Sequence, residues 1–398
     1  MSKSKTPCSA IYHGLCVSSW GALNPCCATY GKHFKHMNSN TNIYDYWYND
    51  EYLAKAKKLE LTDTWLDECI GCKNKIKKGL TSRKDKMNKW YPYIDSEFTR
   101  KNPHSIVHFD INFGSSCNQK CIMCNSLYSS KWLDDDRKLV EANNPLRLWK
   151  LLTLKNWSVS YEQLNQIAEL VTAETKKVEI KGGEPLYDKR FEYFVNLVLE
   201  RNPDVVFNTN TNGTNFTEKN IEMLNRIPNI NIDVSFDGTG KLYEWIRNTK
   251  WSESVQNWDR AMKQLRHRIN LNYTTMCYNV DHIETMYNWV AERAQHYGHG
   301  VFCMFTQVVI APESMAPEYA SPKRLRNALA QIDRIITDPE GINQIYFDTF
   351  EERLQILHNY IQNVSNKTYN TQHYQNFKDM HSTLTKIRGW DIYDHVDM

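Results

Sequence analysis

No run of apolar residues in this chain approaches the ~18 to 20 needed to cross a bilayer, so no membrane-spanning helix is expected in its 398 residues. The opening stretch from Met1 to Cys8 is polar and basic, without the apolar segment of a secretory signal. A reducing, cytoplasmic location is expected. Charge of one sign is lacking too: 49 Lys and Arg face 46 Asp and Glu, for a net charge of +3. That leaves no global field to draw a polyanion, and neither a membrane nor a nucleic acid is expected as a partner. Glycine is sparse, 15 residues against 23 tyrosines, which fits packed domains with large side chains rather than a disordered chain. There is no internal repeat and no long low-complexity segment, and the length fits about two or three domains.

Cysteine is not sparse. Eleven of them in a reducing compartment argue for metal or redox chemistry rather than a disulfide scaffold. Three stand together as Cys117, Cys121 and Cys124. They follow a strand-like run, Ile106 to Phe113, and the turn Gly114-Ser115-Ser116. A closed electron-transfer cluster takes four thiolates, so three leave one iron open for a substrate or cofactor. The competing reading is a zinc knuckle, which needs a fourth ligand nearby, and the next cysteine is Cys277.

From His104 to about Pro312 strand-like and helix-like segments alternate, the pattern of parallel βα units. Strands are expected at Ile106–Phe113, Lys177–Ile180, Val205–Asn208, Ile230–Phe236, Leu271–Cys277 and Phe302–Ile310. About six units make an incomplete barrel, whose working residues lie at the C-terminal strand ends. Polar motifs sit there. Lys181-Gly182-Gly183-Glu184-Pro185 follows the second strand, Asn208 to Thr214 the third, and Ser235-Phe236-Asp237-Gly238 the fourth, with Arg247 on the next helix.

The N-terminal hundred residues hold Cys8, Cys16, Cys26, Cys27 and the pair Cys69-Ile70-Gly71-Cys72. Cys16, Cys26, Cys69 and Cys72 make four ligands, the number that closes a structural zinc or an iron–sulfur cluster. Cys8 reads as a free thiol near a mobile terminus. The basic run from Lys73 to Lys89 reads as a solvated helix and linker, since no aromatic platform accompanies it. Cys277 and Cys303 read as small core residues.

The CxxxCxxC loop, the Gly-Gly-Glu-Pro stretch and the Thr211-Asn212-Gly213 turn together resemble the radical SAM superfamily. The resemblance implies a four-iron four-sulfur cluster on Cys117, Cys121 and Cys124, with S-adenosylmethionine at the open iron. By the same resemblance Gly182, Gly183 and Glu184 hold the cofactor's amino group, while Ser235, Arg247 and Asn210 serve its carboxylate and ribose. Arg247 suits a carboxylate through two parallel hydrogen bonds. Met123 stands where the family often has an aromatic residue, and its thioether can still contact a ring. The N-terminal cysteines resemble a twitch or SPASM auxiliary-cluster domain placed before the barrel, with Cys26 matching its pattern better than Cys27 and the choice between them open.

The expected architecture is therefore α/β, a partial (βα)6 TIM-like barrel over residues 101–315. A twitch-like domain spans 1–100 and a helical region 316–398. The implied activity is reductive cleavage of S-adenosylmethionine to a 5′-deoxyadenosyl radical that takes hydrogen from a substrate, a peptide or protein by the resemblance. A flavodoxin or ferredoxin would donate the electron. Two alternatives stay open: S-adenosylmethionine-dependent group transfer with the same clusters, and a zinc-binding interaction protein.

Overall fold

The computed structural model describes residues 7–29, 35–38, 40–62, 64–77, 82–91, 96–142, 144, 157–298, 301–309, 312–337, 347–366 and 371–395. Strands β1 (Gly14–Val17), β2 (Leu23–Asn24), β3 (His108–Asn112), β4 (Lys177–Lys181), β5 (Val206–Thr211), β6 (Ile230–Ser235), β7 (Ile269–Thr275) and β8 (Phe302–Val308) form one sheet in the order β2-β1-β3-β4-β5-β6-β7-β8. β2 runs antiparallel to β1. The pairs β1–β3, β3–β4, β4–β5, β6–β7 and β7–β8 are parallel. The chain is thus α/β with a mostly parallel sheet, consistent with the expected partial TIM-like barrel.

The six expected strands are β3 to β8, each within a few residues of its expected span. Ile310, the expected end of the last, lies outside the described residues, as do Lys78 of the basic run and the side chain of Cys303. Two strands were not expected. Gly14–Val17 and Leu23–Asn24 are too short to show a period, and β1 is fixed by pairing with β3. Among the described residues no helix is long and apolar enough to cross a membrane.

By compactness the chain divides into two units. One unit is Met1–Ser116, Asn156–Thr209 and Ile227–Ile230; the other is Cys117–Lys155, Asn210–Arg226 and Asn231–Met398. In the first unit the strands alternate with period two. Phe109, Ile111, Val178, Ile180 and Phe207 are buried on one face. The other face carries polar groups in register, Cys16 beside Asp110, Asp110 beside Glu179, and Glu179 beside Asn208. A parallel sheet covered on both faces would read as continuous apolar runs, so the alternation marks a face kept for polar work.

In the second unit, helices Trp251–Gln264 and Ile283–Tyr297 bury Trp258, Ala261, Met262, Met286 and Val290. Phe236 gathers Tyr243, Trp251, Trp258 and Trp289 within 5.0 to 5.8 Å of its ring centre. The C-terminal helices Pro322–Thr337, Phe347–Ser365 and Thr371–Arg388 belong to this unit. Pro322 takes the first helical position, where its missing N–H costs nothing.

Candidate iron–sulfur and cofactor site

The loop after β3 turns at Gly114, whose φ of +127° suits glycine. A Cβ there would stand 2.4 Å from the Trp157 carbonyl oxygen. The cysteine loop that follows belongs to the second unit and is fixed by hydrogen bonds to both its backbone and its side chains. Ile122 N donates to Ile246 O at 2.9 Å, and Cys124 N to Cys121 O at 3.0 Å. Trp132 Nε1 donates to Cys121 O at 2.8 Å and Ser129 Oγ to Gln119 O at 2.6 Å. Asn118 is clasped by the Asn212-Gly213-Thr214 turn: Asn212 Nδ2 donates to its Oδ1 at 2.8 Å and its Nδ2 donates to Thr214 Oγ1 at 2.7 Å.

Two of the three sulfurs, those of Cys117 and Cys121, face N–H donors. Gln119 N lies 3.4 Å and Asn212 Nδ2 3.9 Å from Cys117 Sγ, and Arg247 Nη1 lies 3.6 Å from Cys121 Sγ. N–H groups aimed at sulfur favour thiolate and tune an iron–sulfur group that uses it. The donor set, three thiols on one pinned loop, therefore fits such a group. Met123 is half-buried on the same loop.

Arg247 ends helix Gly240–Arg247, which stops because Asn248 adopts φ +54°, a left-handed conformation that asparagine tolerates. Its Nη2 lies 2.5 Å from Asp237 Oδ2. Asp237 is fully buried and accepts Thr274 N at 2.8 Å. Burial opposes the charge of Arg247, and the Asp237 carboxylate outweighs it, so the guanidinium pKa is raised. Burial pushes the Asp237 pKa up, against the pull of Arg247. The structure thus gives Arg247 two protein partners, one carboxylate and one cysteine sulfur. Asn210 and Ser235 end β5 and β6, half-buried, in the same unit.

Gly182, Gly183 and Glu184 belong to the first unit. There Gly183 N and Glu184 N donate to Gly114 O and Ser116 O, each at 2.8 Å. Gly182 takes φ +157°. Glu184 is 1% exposed, and its Oε1 accepts Leu186 N at 3.1 Å, capping the short helix Pro185–Tyr187.

The N-terminal cysteines separate into two groups. Cys8, Cys26, Cys69 and Cys72 line a small cavity of about 20 Å³ with Glu60, Trp65 and Lys84. Cys16 is not among them; it lies buried on β1 in register with Asp110. Cys8, expected near a mobile terminus, is buried. Its N donates to Glu60 Oε1 at 3.1 Å, and Ser9 is held by Asn88. Burial raises the Cys8 thiol to about 11 and the Cys69 thiol to about 12. The hydrogen bond that the Cys27 thiol donates to Cys26, ahead of burial, raises its pKa.

Sequence reasoning missed the charges on the polar face. His108, Asp110 and Glu179 bring ligand atoms within 4.8 Å of one another, as a metal site would. Lysine fills that role instead: Lys181 Nζ lies 2.8 Å from Asp110 and 2.7 Å from Glu179, and Lys177 Nζ lies 2.9 Å from Glu179. Burial would raise the Glu179 pKa, but Lys181 and the other cations hold it well below the usual range. Tyr91 Oη bonds His108 Nδ1 at 2.8 Å. The signal was present in the alternation His108-Phe109-Asp110-Ile111 and Lys177-Val178-Glu179-Ile180-Lys181.

Residues 111–290 match the radical SAM superfamily. The chain carries a radical SAM domain. No curated protein matches the sequence. Among solved structures it is similar to anSMEcpe with bound AdoMet and the Kp18Cys peptide, at 17% identity over 56% of this chain and 58% of that one, TM-score 0.39. It thus spans less than two thirds of that protein. It is also similar to SuiB of Streptococcus suis, at 11% identity over 83% and 69% of the two chains, TM-score 0.39. A third is TYW1 with a lysine-pyruvate adduct, at 16% identity over 56% and 72%, TM-score 0.32.

Proposed function

We propose that this radical SAM domain works as an enzyme that cleaves S-adenosylmethionine reductively and removes hydrogen from a peptide or protein substrate. The observation that carries the reading is the pinned loop of Cys117, Cys121 and Cys124, with N–H donors at the Cys117 and Cys121 sulfurs inside the domain. A four-iron four-sulfur cluster bound there supplies the electron for that cleavage. The chain's own part is to hold three sulfurs in place, keep Arg247 charged beside one of them, and offer the strand-end groups Asn210 and Ser235 to the cofactor, while the cofactor role of Glu184 rests on the family resemblance. The peptide substrate, like the flavodoxin or ferredoxin donor, rests on the family resemblance.

A second, auxiliary cluster is proposed at the N-terminal cysteines, with Cys26, Cys69 and Cys72 as ligands. The cavity supports Cys8 as the fourth in place of the expected Cys16. Tetrahedral zinc with bonds of about 2.3 Å needs sulfurs about 3.8 Å apart. Zinc on the same cysteines is the alternative, which metal analysis separates from a cluster.

The test is iron, sulfide and zinc on protein reconstituted without oxygen, for wild type and the Cys117/Cys121/Cys124→Ala variant, with 5′-deoxyadenosine measured after reduction in S-adenosylmethionine. About eight irons falling to about four, with 5′-deoxyadenosine lost, are expected. Stoichiometric zinc without iron would sink the reading. Iron with no 5′-deoxyadenosine would move it to group transfer.

A further inference from the structure

The C-terminal helix Thr371–Arg388 lies beyond the matched domain, which ends at residue 290. Its last residue nevertheless reaches the cysteine loop within the second unit. Arg388 Nη2 donates to Lys120 O at 2.5 Å, the carbonyl just before Cys121, and Nε donates to Trp245 O at 3.1 Å. Trp245 stands on the helix that presents Arg247, whose Nη1 approaches Cys121 Sγ. One guanidinium therefore ties the loop to the helix whose Arg247 approaches a loop sulfur.

The tail that follows is seated rather than trailing. The helix stops at Gly389, with φ +77°. Trp390 packs edge-on against Trp245, ring centres 5.2 Å apart. His381 bonds Tyr278 Oη at 2.9 Å and Asp391 at 3.0 Å. Asp237 balances Arg247, but among the described residues Arg388 makes no ion pair. Its two bonds go to neutral carbonyls, so its charge stands uncompensated beside the loop. Burial lowers its pKa to about 10, which leaves it charged at neutral pH.

We propose that Arg388 is a positioning residue for the cluster of the Cys117–Cys124 loop, fixing the loop from outside the family domain and setting the cluster's reduction potential with its unpaired positive charge. Net charge and hydrogen bonding around the sulfurs are the levers on such potentials. A nearby cation favours the reduced, more negative form, so Arg388 raises the potential. The inference rests on the radical SAM reading.

The test is a redox titration followed by electron paramagnetic resonance, on the Cys8/Cys26/Cys69/Cys72→Ser background so that one cluster reports. Iron content is measured in every sample. R388Q is expected to keep its iron and titrate at a more negative potential, while R388K stays near the parent. R388Q and R388K both at the parent potential, or both shifted equally, would overturn the proposal. R388H supplies a second reading if R388Q loads no iron. Its potential is expected to fall more steeply than the parent's as pH rises and the imidazole loses its charge, and an equal slope overturns the proposal. A parent without iron overturns this inference together with the radical SAM reading. An iron-loaded parent with unmoved variants overturns this one alone.

Discussion

Asp237 and Arg247 show what a single buried residue controls. The carboxylate is fully buried, 2.5 Å from the guanidinium, and its removal strands a positive charge beside Cys121. Breaking a buried pair by removing one partner costs about 3 to 5 kcal/mol, so Asp237→Ala is expected to lose about that in urea unfolding. Unchanged stability would mean that water reaches the pair. His108 gives a pH dependence of definite sign. Burial, its largest cause, lowers its pKa to about 4 from an ordinary 6.5. The unfolded chain therefore binds the proton more readily, and stability contributed by neutral His108 is present above pH ~6.5 and lost as pH falls toward ~4. The shift corresponds to about 3 kcal/mol. His108→Gln is expected to flatten stability between those pH values, with Glu179, whose pKa is also lowered, still losing stability at lower pH. A variant as acid-sensitive as wild type would place the titration elsewhere.

Elements decide which cysteines meet. Cys8 precedes helix Ser9–His13, Cys16 lies on β1, and Cys69 and Cys72 flank the start of helix Ile70–Lys77. The helix turns Cys8 into the cavity with Cys69, whereas β1 pairs with β3 and sets Cys16 beside Asp110. On the Cys117/Cys121/Cys124→Ala background, Cys8→Ser is expected to empty the N-terminal site and Cys16→Ser to leave it loaded, by metal analysis; the reverse pattern would restore Cys16 as the ligand. Sequence reading offered four cysteines for such a site but could not choose among them, because ligand spacing along a chain does not fix which side of a two-residue step a thiol faces. Adjacent cysteines show this plainly. Cys26 lines the cavity, whereas Cys27 has Cys16, Asp110 and Arg83 among its electrostatic neighbours. The alternation of helices with strands β4 to β8 was legible, since helical stretches repeat their apolar side chains at three and four. β1 and β2 were not, since strands of four and two residues carry no period.

At the scale of the whole chain, local patterns and long-range contacts divided the work. The sequence alone determined the α/β class, six of the strands, the three-cysteine loop and the motifs at the strand ends. Each of these is written in neighbouring residues, as a period, a turn or a short spacing. Packing alone settles that Cys8 shares a cavity with Cys69, that Lys181 fills the space between Asp110 and Glu179, and that Arg247 is held by Asp237 and touches Cys121. It alone brought Arg388 back to Lys120. The contacts of Cys8 with Cys69, Asp110 with Lys181, Cys121 with Arg247 and Lys120 with Arg388 join residues 61 to 268 positions apart, and no local period encodes them. They follow from where helices end and which strand edges pair, which is settled when the core packs.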